Sequence, residues 1–201
     1  MKKTLICLLI LGLLPVFTGC GGKKVSRVET DRTIDLSGRW NDTDSRLVSE
    51  AMIEDALERP WIKEFQSRHD NRKPAVIVGA IQNRSHEHIN TQTFVKDLER
   101  ALINSGKVSF VAAGGQREQL RAERLDQASH ASEATAKSEG MEIGADYMLQ
   151  GTINTITDQA EGEKVMYYQV NLELINIESH RKVWIGEKKI KKYIEQPKYS
   201  F

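Results

Sequence analysis

The sequence predicts an α+β domain: a mixed α/β arrangement in which a small sheet of four to five strands is flanked by helices and finishes in an antiparallel meander. Three observations carry this. Residues 75–81, Ala-Val-Ile-Val-Gly-Ala-Ile, form a continuous apolar run that does not alternate, as in a strand covered on both faces. Phe94, Leu98, Ala101 and Leu102 recur at helical spacing just after it. The last third holds three strand-like segments with short connections, which favours antiparallel neighbours. Helices that precede and separate the first strands, followed by strands in succession, define the class.

The elements follow in order. A first helix is expected to start at Asp42–Asp44, where carboxylates can cap and also meet the positive helix end. Leu47, Val48, Ala51 and Met52 would form its apolar face. Arg59-Pro60 breaks it, and Trp61, Ile62 and Phe65 make a shorter amphipathic turn or two. Trp40 and Trp61 bracket this unit as packing anchors. Residues 70–74 are a polar turn, residues 75–81 the central strand and residues 82–87 a polar loop. Asn90 or Thr91 caps the next helix, and Gly106 ends it. Residues 107–111 read as a second, alternating strand. Gly114-Gly115 separates it from a solvated helix over 116–127, and a polar stretch leads to a small-residue helix ending near Gly140. Gly144-Ala145-Asp146 turns into a third strand over 147–153, and residues 158–163 form a turn. The strand over 165–177 points Tyr168, Val170, Leu172 and Leu174 one way, and Tyr167, Gln169, Asn171 and Glu173 the other. After a turn at 178–181, residues 182–190 pair back. The tail carries Lys188, Lys189, Lys191, Lys192 and Lys198.

The N-terminus decides the compartment. Lys2 and Lys3 precede an apolar run from Leu5 to Phe17, interrupted by Gly12 and Pro15, and small residues then lead to Cys20. This is the layout of a cleaved signal peptide. The run is about 13 residues long, short of the roughly 20 that a helix needs to span a bilayer. Phe17-Thr18-Gly19-Cys20 resembles a bacterial lipobox, with Phe where the pattern usually has Leu. The resemblance implies that Cys20 becomes the lipidated first residue. Gly21, rather than Asp, follows it, which implies the outer membrane, with the chain on its periplasmic face. The expected organisation is a signal peptide over 1–19, a lipidated N-terminus and tether over 20–43, and a globular domain over 44–201.

Composition excludes several classes. Removing residues 1–19 leaves 182 of the 201 residues, enough for one domain and a tether. It also removes two lysines, leaving 27 basic residues against 28 acidic ones, so nothing in the charge asks for nucleic acid. The chain has two cysteines. Cys7 leaves with the signal peptide and Cys20 is consumed by lipid, so no thiol remains for a disulfide, a thiolate metal site or a nucleophile. His86 and His88 lie two apart, but zinc needs further ligands and none is spaced nearby. Gly114-Gly115 could expose backbone N–H groups to an anion, and Asp42 with Asp44 could flank a glycosidic bond; both patterns are common in loops and helix starts. The lysine-rich tail could touch anionic head groups and reads more simply as a solvated strand end. No hydrolase elbow, zinc-protease motif or phosphate loop occurs. The expectation is a chain that is not an enzyme, with no catalytic residue, no metal and no cofactor.

Several stretches together resemble the LpoB family, the outer-membrane lipoprotein activators of penicillin-binding proteins. They are the lipobox at Cys20; Val76 to Asn83-Arg84; Leu98 to Lys107 with Phe110-Val111; Gly144-Ala145-Asp146-Tyr147 with Leu149 and Gly151; and Lys182-Val183-Trp184. The Gly-Ala-Asp-Tyr turn also occurs in related envelope folds, including the curli secretion lipoprotein and the TolB N-terminal domain. The resemblance implies a small α/β domain that docks from the outer membrane onto a bifunctional peptidoglycan synthase, a penicillin-binding protein, and stimulates it without chemistry of its own. It carries over no partner-binding residue, so Cys20 is the only site residue expected. Family members can have a long, proline-rich tether, and here the stretch from Cys20 to the first helix is short and lacks proline. The other class left open is a structural or secretion-linked envelope lipoprotein of the curli-secretion kind.

Overall fold

The computed structural model describes residues 25–132, 134–135, 137 and 142–195. The leader, Cys20, Lys198 and most of the small-residue segment before Gly140 lie outside the described residues. The chain divides into two units, Met1–Arg32 and Thr33–Phe201. The described part of the first, residues 25–32, has a turn in which the Arg32 N–H donates to the Glu29 carbonyl at 3.2 Å.

The second unit runs α1 (Asp42–Glu58), α2 (Trp61–Arg68), β1 (Ala75–Asn83), α3 (Thr91–Asn104), β2 (Ser109–Phe110), α4 (Gly114–His130), β3 (Tyr147–Ala160), β4 (Glu163–Asn176) and β5 (Lys182–Glu195). The strands form one mixed sheet in the order β2-β1-β3-β4-β5. β1 is parallel to both of its neighbours, and β3, β4 and β5 make an antiparallel meander. The predicted class and meander are both present.

Helices α1 and α3 pack together and against one face of the sheet. Phe94, Leu98, Leu149, Ile153, Tyr168 and Leu172 form the fully buried centre of this layer. The alternation read in β4 is correct on its inner side: Tyr168, Val170, Leu172 and Leu174 are all buried. Asn90 caps α3 by accepting from the Gln92 N–H at 3.1 Å, and Gly106 lies just past its end at φ 64°.

Several elements differ from the reading of the sequence. Asn41, not Asp42–Asp44, caps α1. Its side-chain oxygen accepts from the Asp44 N–H at 3.0 Å, and the Asp44 carboxylate accepts from the Asn41 N–H at 3.0 Å, a reciprocal capping box. The buried face of α1 is also turned. Val48, Met52, Ile53, Ala56 and Leu57 are inside, Leu47 is exposed and Ala51 is marginal. The helix sits between α3 and β5, so it must cover two neighbours rather than one. The second strand shrinks to Ser109–Phe110, and α4 starts at Gly114 rather than after it.

The hairpin strands run longer than expected. Ala160 pairs with Glu163, so the turn is only Glu161-Gly162, with φ of 47° and 89°. Two positive φ values define the tight turn whose twist matches paired strands, and Gly162 takes that conformation without strain. β3 and β4 thus have 14 residues each, about 45 Å. β5 reaches Glu195, which draws Lys191 and Lys192 into the sheet. Lys192 is no solvated tail residue. Its side chain is 11% exposed and is paired to Asp35 and Asp44.

Candidate docking surface

The two faces of the sheet have different fates. The inner face is covered by α1 and α3 over Leu149, Ile153, Val170, Leu172 and Leu174, while Thr157 and Lys188 at its margin are exposed. On the outer face of β3–β5 every side chain is partly or fully exposed. Register places these side chains in rows. Thr152, Asn171 and Glu187 stand side by side across β3, β4 and β5, as do Asn154, Gln169 and Lys189, and then Ile156, Tyr167 and Lys191. The first of these rows is polar. The last mixes an apolar, an aromatic and a basic side chain. Ile156, Ile185 and Tyr193 are 65%, 63% and 56% exposed on this face; Ile156 and Tyr193 stand near Tyr167, and Ile185 lies three rows away beside Glu173.

Hydrogen bonds hold the face in shape from within. Asn154 donates to Thr152 at 3.1 Å, and Gln169 donates to Asn171 at 3.1 Å. Lys182 pairs with Glu173 at 2.7 Å, and Lys189 with Glu187 at 2.6 Å. Tyr193 donates to Glu163 at 2.7 Å, and that hydrogen bond, with its carboxylate charge, pushes the phenol up to about 12. Bonds along and between neighbouring strands stiffen a polar surface, so less entropy is lost when a partner orders it. A shallow hollow of about 210 Å³, lined by Gln82, Arg84, Gln150, Thr152, Asn171 and Glu173 with Ala80 and Gly151, lies on this face. It is below the size of ordinary small-molecule sites.

The other sequence candidates fall elsewhere. His86 and His88 are exposed in the loop after β1, and Gly114-Gly115 is an exposed helix start. Asp42 is exposed, whereas Asp44 is committed to the Asn41 cap and to Lys192. Among the described residues no group of three or more His, Cys, Asp or Glu side chains is placed to hold a metal. None of the described helices is long and apolar enough to cross a membrane. Trp61 and Trp40 are packing residues as read: Trp61 is buried against Tyr147, and Trp40 meets Phe94 and Tyr168 edge-on. Tyr167 falls on the outward set read from the sequence, whereas Ile156, Ile185 and Tyr193 carry no such assignment there. The signal was there in the outward set of each alternating strand, which contains large side chains where polar ones suffice.

The fold is therefore a helix-backed mixed sheet whose outer face over β3–β5 is exposed. Residues 44–190 match the family model described as "Peptidoglycan-synthase activator LpoB". The chain belongs to that family. Among solved structures it is similar to the LpoB C-terminal domain from Salmonella enterica, at 18% identity and TM-score 0.43, covering 74% of this chain and 99% of that one. It is also similar to the NMR structure of E. coli LpoB, at 16% identity and TM-score 0.40, covering 91% of this chain and 86% of that one. The lipoprotein GNA1162 from Neisseria meningitidis matches at 16% identity and TM-score 0.37, covering 60% of this chain and 83% of that one. No curated protein matches the chain.

Proposed function

We propose that this chain is a non-catalytic lipoprotein that binds a bifunctional penicillin-binding protein and raises its activity in peptidoglycan synthesis. The observation that carries the reading is the family match over residues 44–190. In this reading residues 1–19 are a signal peptide, and Cys20 is lipidated and holds the chain at the periplasmic face of the outer membrane. The stretch from 20 to 32 is the free tether, the rest of the expected 20–43 tether being fastened to the domain that docks on the synthase.

The outer face of β3–β5 is the surface we assign to docking. It is stiff, it lies opposite the helices, and its Ile156–Tyr167–Lys191 row offers an apolar centre with a basic rim. A partner with a small apolar patch edged by carboxylates would complement it. Activation then needs only that the domain prefer the active conformation of the synthase over the resting one. A tenfold shift takes about 1.4 kcal/mol of differential binding.

Crosslinking of tagged full-length protein in cells, followed by identification of the captured partner, tests the reading. A penicillin-binding protein captured by the natural chain and lost with Tyr167→Ala or Lys191→Glu supports both the partner and the face. Capture that both variants leave intact rejects the face. Capture of no synthase rejects the partner and favours the structural or secretion-linked class. Mass spectrometry of the mature N-terminus checks the anchor: an unmodified Cys20 would remove it.

A further inference from the structure

The segment just before α1 is fastened to the domain in an unusual way. Lys192 of β5 donates to Asp35 at 2.6 Å, to the Arg39 carbonyl at 3.1 Å and to Asp44 of α1 at 2.7 Å. Asp35 also accepts from the Asn41 side chain at 2.6 Å. The Tyr168 hydroxyl lies 2.9 Å from the Glu87 carboxylate and 3.3 Å from the Gly38 carbonyl. Gly38 has φ 67° and lies so close to Ile194 that an added Cβ would collide with it. Trp40 then ends the segment. Its N–H donates to Glu87 at 3.2 Å, its indole donates to Ser45 at 2.8 Å, and its ring sits against Phe94 and Tyr168.

Each buried polar group that residues 33–39 touch has a second partner inside the domain. Lys192 keeps Asp44, which is itself 7% exposed, and Tyr168 keeps Glu87. An unpaired buried charge is what makes most buried ion pairs costly to break, and here departure of the segment orphans none. Its own acid, Asp35, is 45% exposed, so it returns to water easily. Trp40, by contrast, is held by packing and two hydrogen bonds. The glycine at positive φ stands between the part that can leave and the part that stays.

We propose that residues 33–39 are a detachable strap, clasped by Asp35 to Lys192, hinged at Gly38 and stopped at Trp40, which peels from the folded domain as a unit. Local opening of a weakly held edge below the global unfolding energy is a general property of folded chains. Seven freed residues add about 24 Å of extended chain. The use of that length as extra tether rests on the anchor reading at Cys20, whereas the detachment itself does not. Asp35, the clasp's acid, is 45% exposed, so the pair is partly screened as salt rises, and ionic strength favours opening of the strap.

The test uses full-length protein in detergent micelles and the protease Asp-N, which cuts before aspartate. Asp31, in the first unit, is the reference cut. Asp35 reports the strap, and Asp42 and Asp44 report opening of α1. Lys192→Met is expected to speed cutting before Asp35 about tenfold relative to Asp31; because it also leaves buried Asp44 without its cation, protection at Asp42 and Asp44 is read in the Gly38→Ala variant. Gly38→Ala, which strains the backbone and collides with Ile194, is expected to do the same without touching the ion pair. Raising salt to 1 M should speed the natural chain and leave Lys192→Met unchanged. Cutting before Asp35 that neither variant alters, or that rises only together with Asp42 and Asp44, overturns the strap. N-terminal mass spectrometry on the same sample reads the anchor separately.

Discussion

Ala75 and Asp146, 71 residues apart, hold each other through two hydrogen bonds. The Ala75 N–H donates to the Asp146 carboxylate at 2.7 Å, and the Asp146 N–H donates to the Ala75 carbonyl at 2.8 Å. Arg72 adds a two-pronged contact to the same carboxylate at 3.0 and 2.9 Å. The next residues, Val76 and Tyr147, begin the parallel ladder between β1 and β3. Parallel strands have no hairpin to set their register, so a carboxylate that reaches across at the first pair can do it. Each part of the Gly-Ala-Asp-Tyr turn thus has a physical role. Its small residues let the chain turn, Asp146 locks the register, and Tyr147 packs on Trp61 and Phe65.

Asp146→Ala should therefore cost about 2 kcal/mol, the scale of a lost charge-assisted hydrogen bond that also leaves a backbone donor unmet. Arg72→Ala, on an exposed side chain, should cost under about 1 kcal/mol. Urea unfolding of both variants checks the order. Equal losses would place the clamp in the ion pair rather than in the backbone contact.

Asp55 links α1 to β5. It accepts from the Trp184 indole at 2.7 Å and pairs with Arg59 on its own helix. The Trp184 hydrogen bond first, and then Arg59, hold its carboxyl below the ordinary aspartate value. A lowered folded pKa means that the unfolded chain binds the proton more readily. The stability it contributes is complete above the unfolded value of about 3.9 and is lost as pH falls through the lowered folded one. Asp55→Asn, which keeps an acceptor for Trp184, should flatten the fall in stability between about pH 5 and pH 2. A denaturant midpoint that tracks pH identically in both proteins would contradict this.

The long hairpin offers a sharper test of the sheet's two faces. Leu172 is fully buried and Asn171 lies on the outer face. Leu172→Ala should cost about 2–5 kcal/mol. Asn171→Ala should change stability by less than about 1 kcal/mol, since it loses only the Gln169 contact. Denaturant titrations that returned equal losses would mean that the outer face is not open.

Much of this fold was legible because its strongest signals are local. The apolar run at 75–81, the 94–98–102 stripe and the alternation through 168–174 each state a face by spacing alone. What the sequence concealed depends on partners far away. Nothing near Lys192 says that it meets Asp35, 157 residues earlier. Nothing near Asp44 says that it completes a cap rather than making one. Residues 35–41 read as tether because their apolar side chains lack a period; their fastening is polar and comes from β5, α1 and the loop after β1. The face we assign to docking was hidden for the opposite reason. Its polar and half-exposed side chains look like any solvated strand face until the register sets Ile156, Tyr167 and Lys191 in one row.

The central claim is activation of a peptidoglycan synthase by a protein with no chemistry of its own. The most direct measurement is glycan-chain polymerisation from lipid II by the cognate bifunctional penicillin-binding protein in detergent, with and without this protein added. The account predicts that the protein alone makes no product, that it raises the synthase rate several-fold at saturation, and that Tyr167→Ala weakens the effect while leaving the fold intact. A natural, folded protein that neither binds the synthase nor changes its rate would contradict the account.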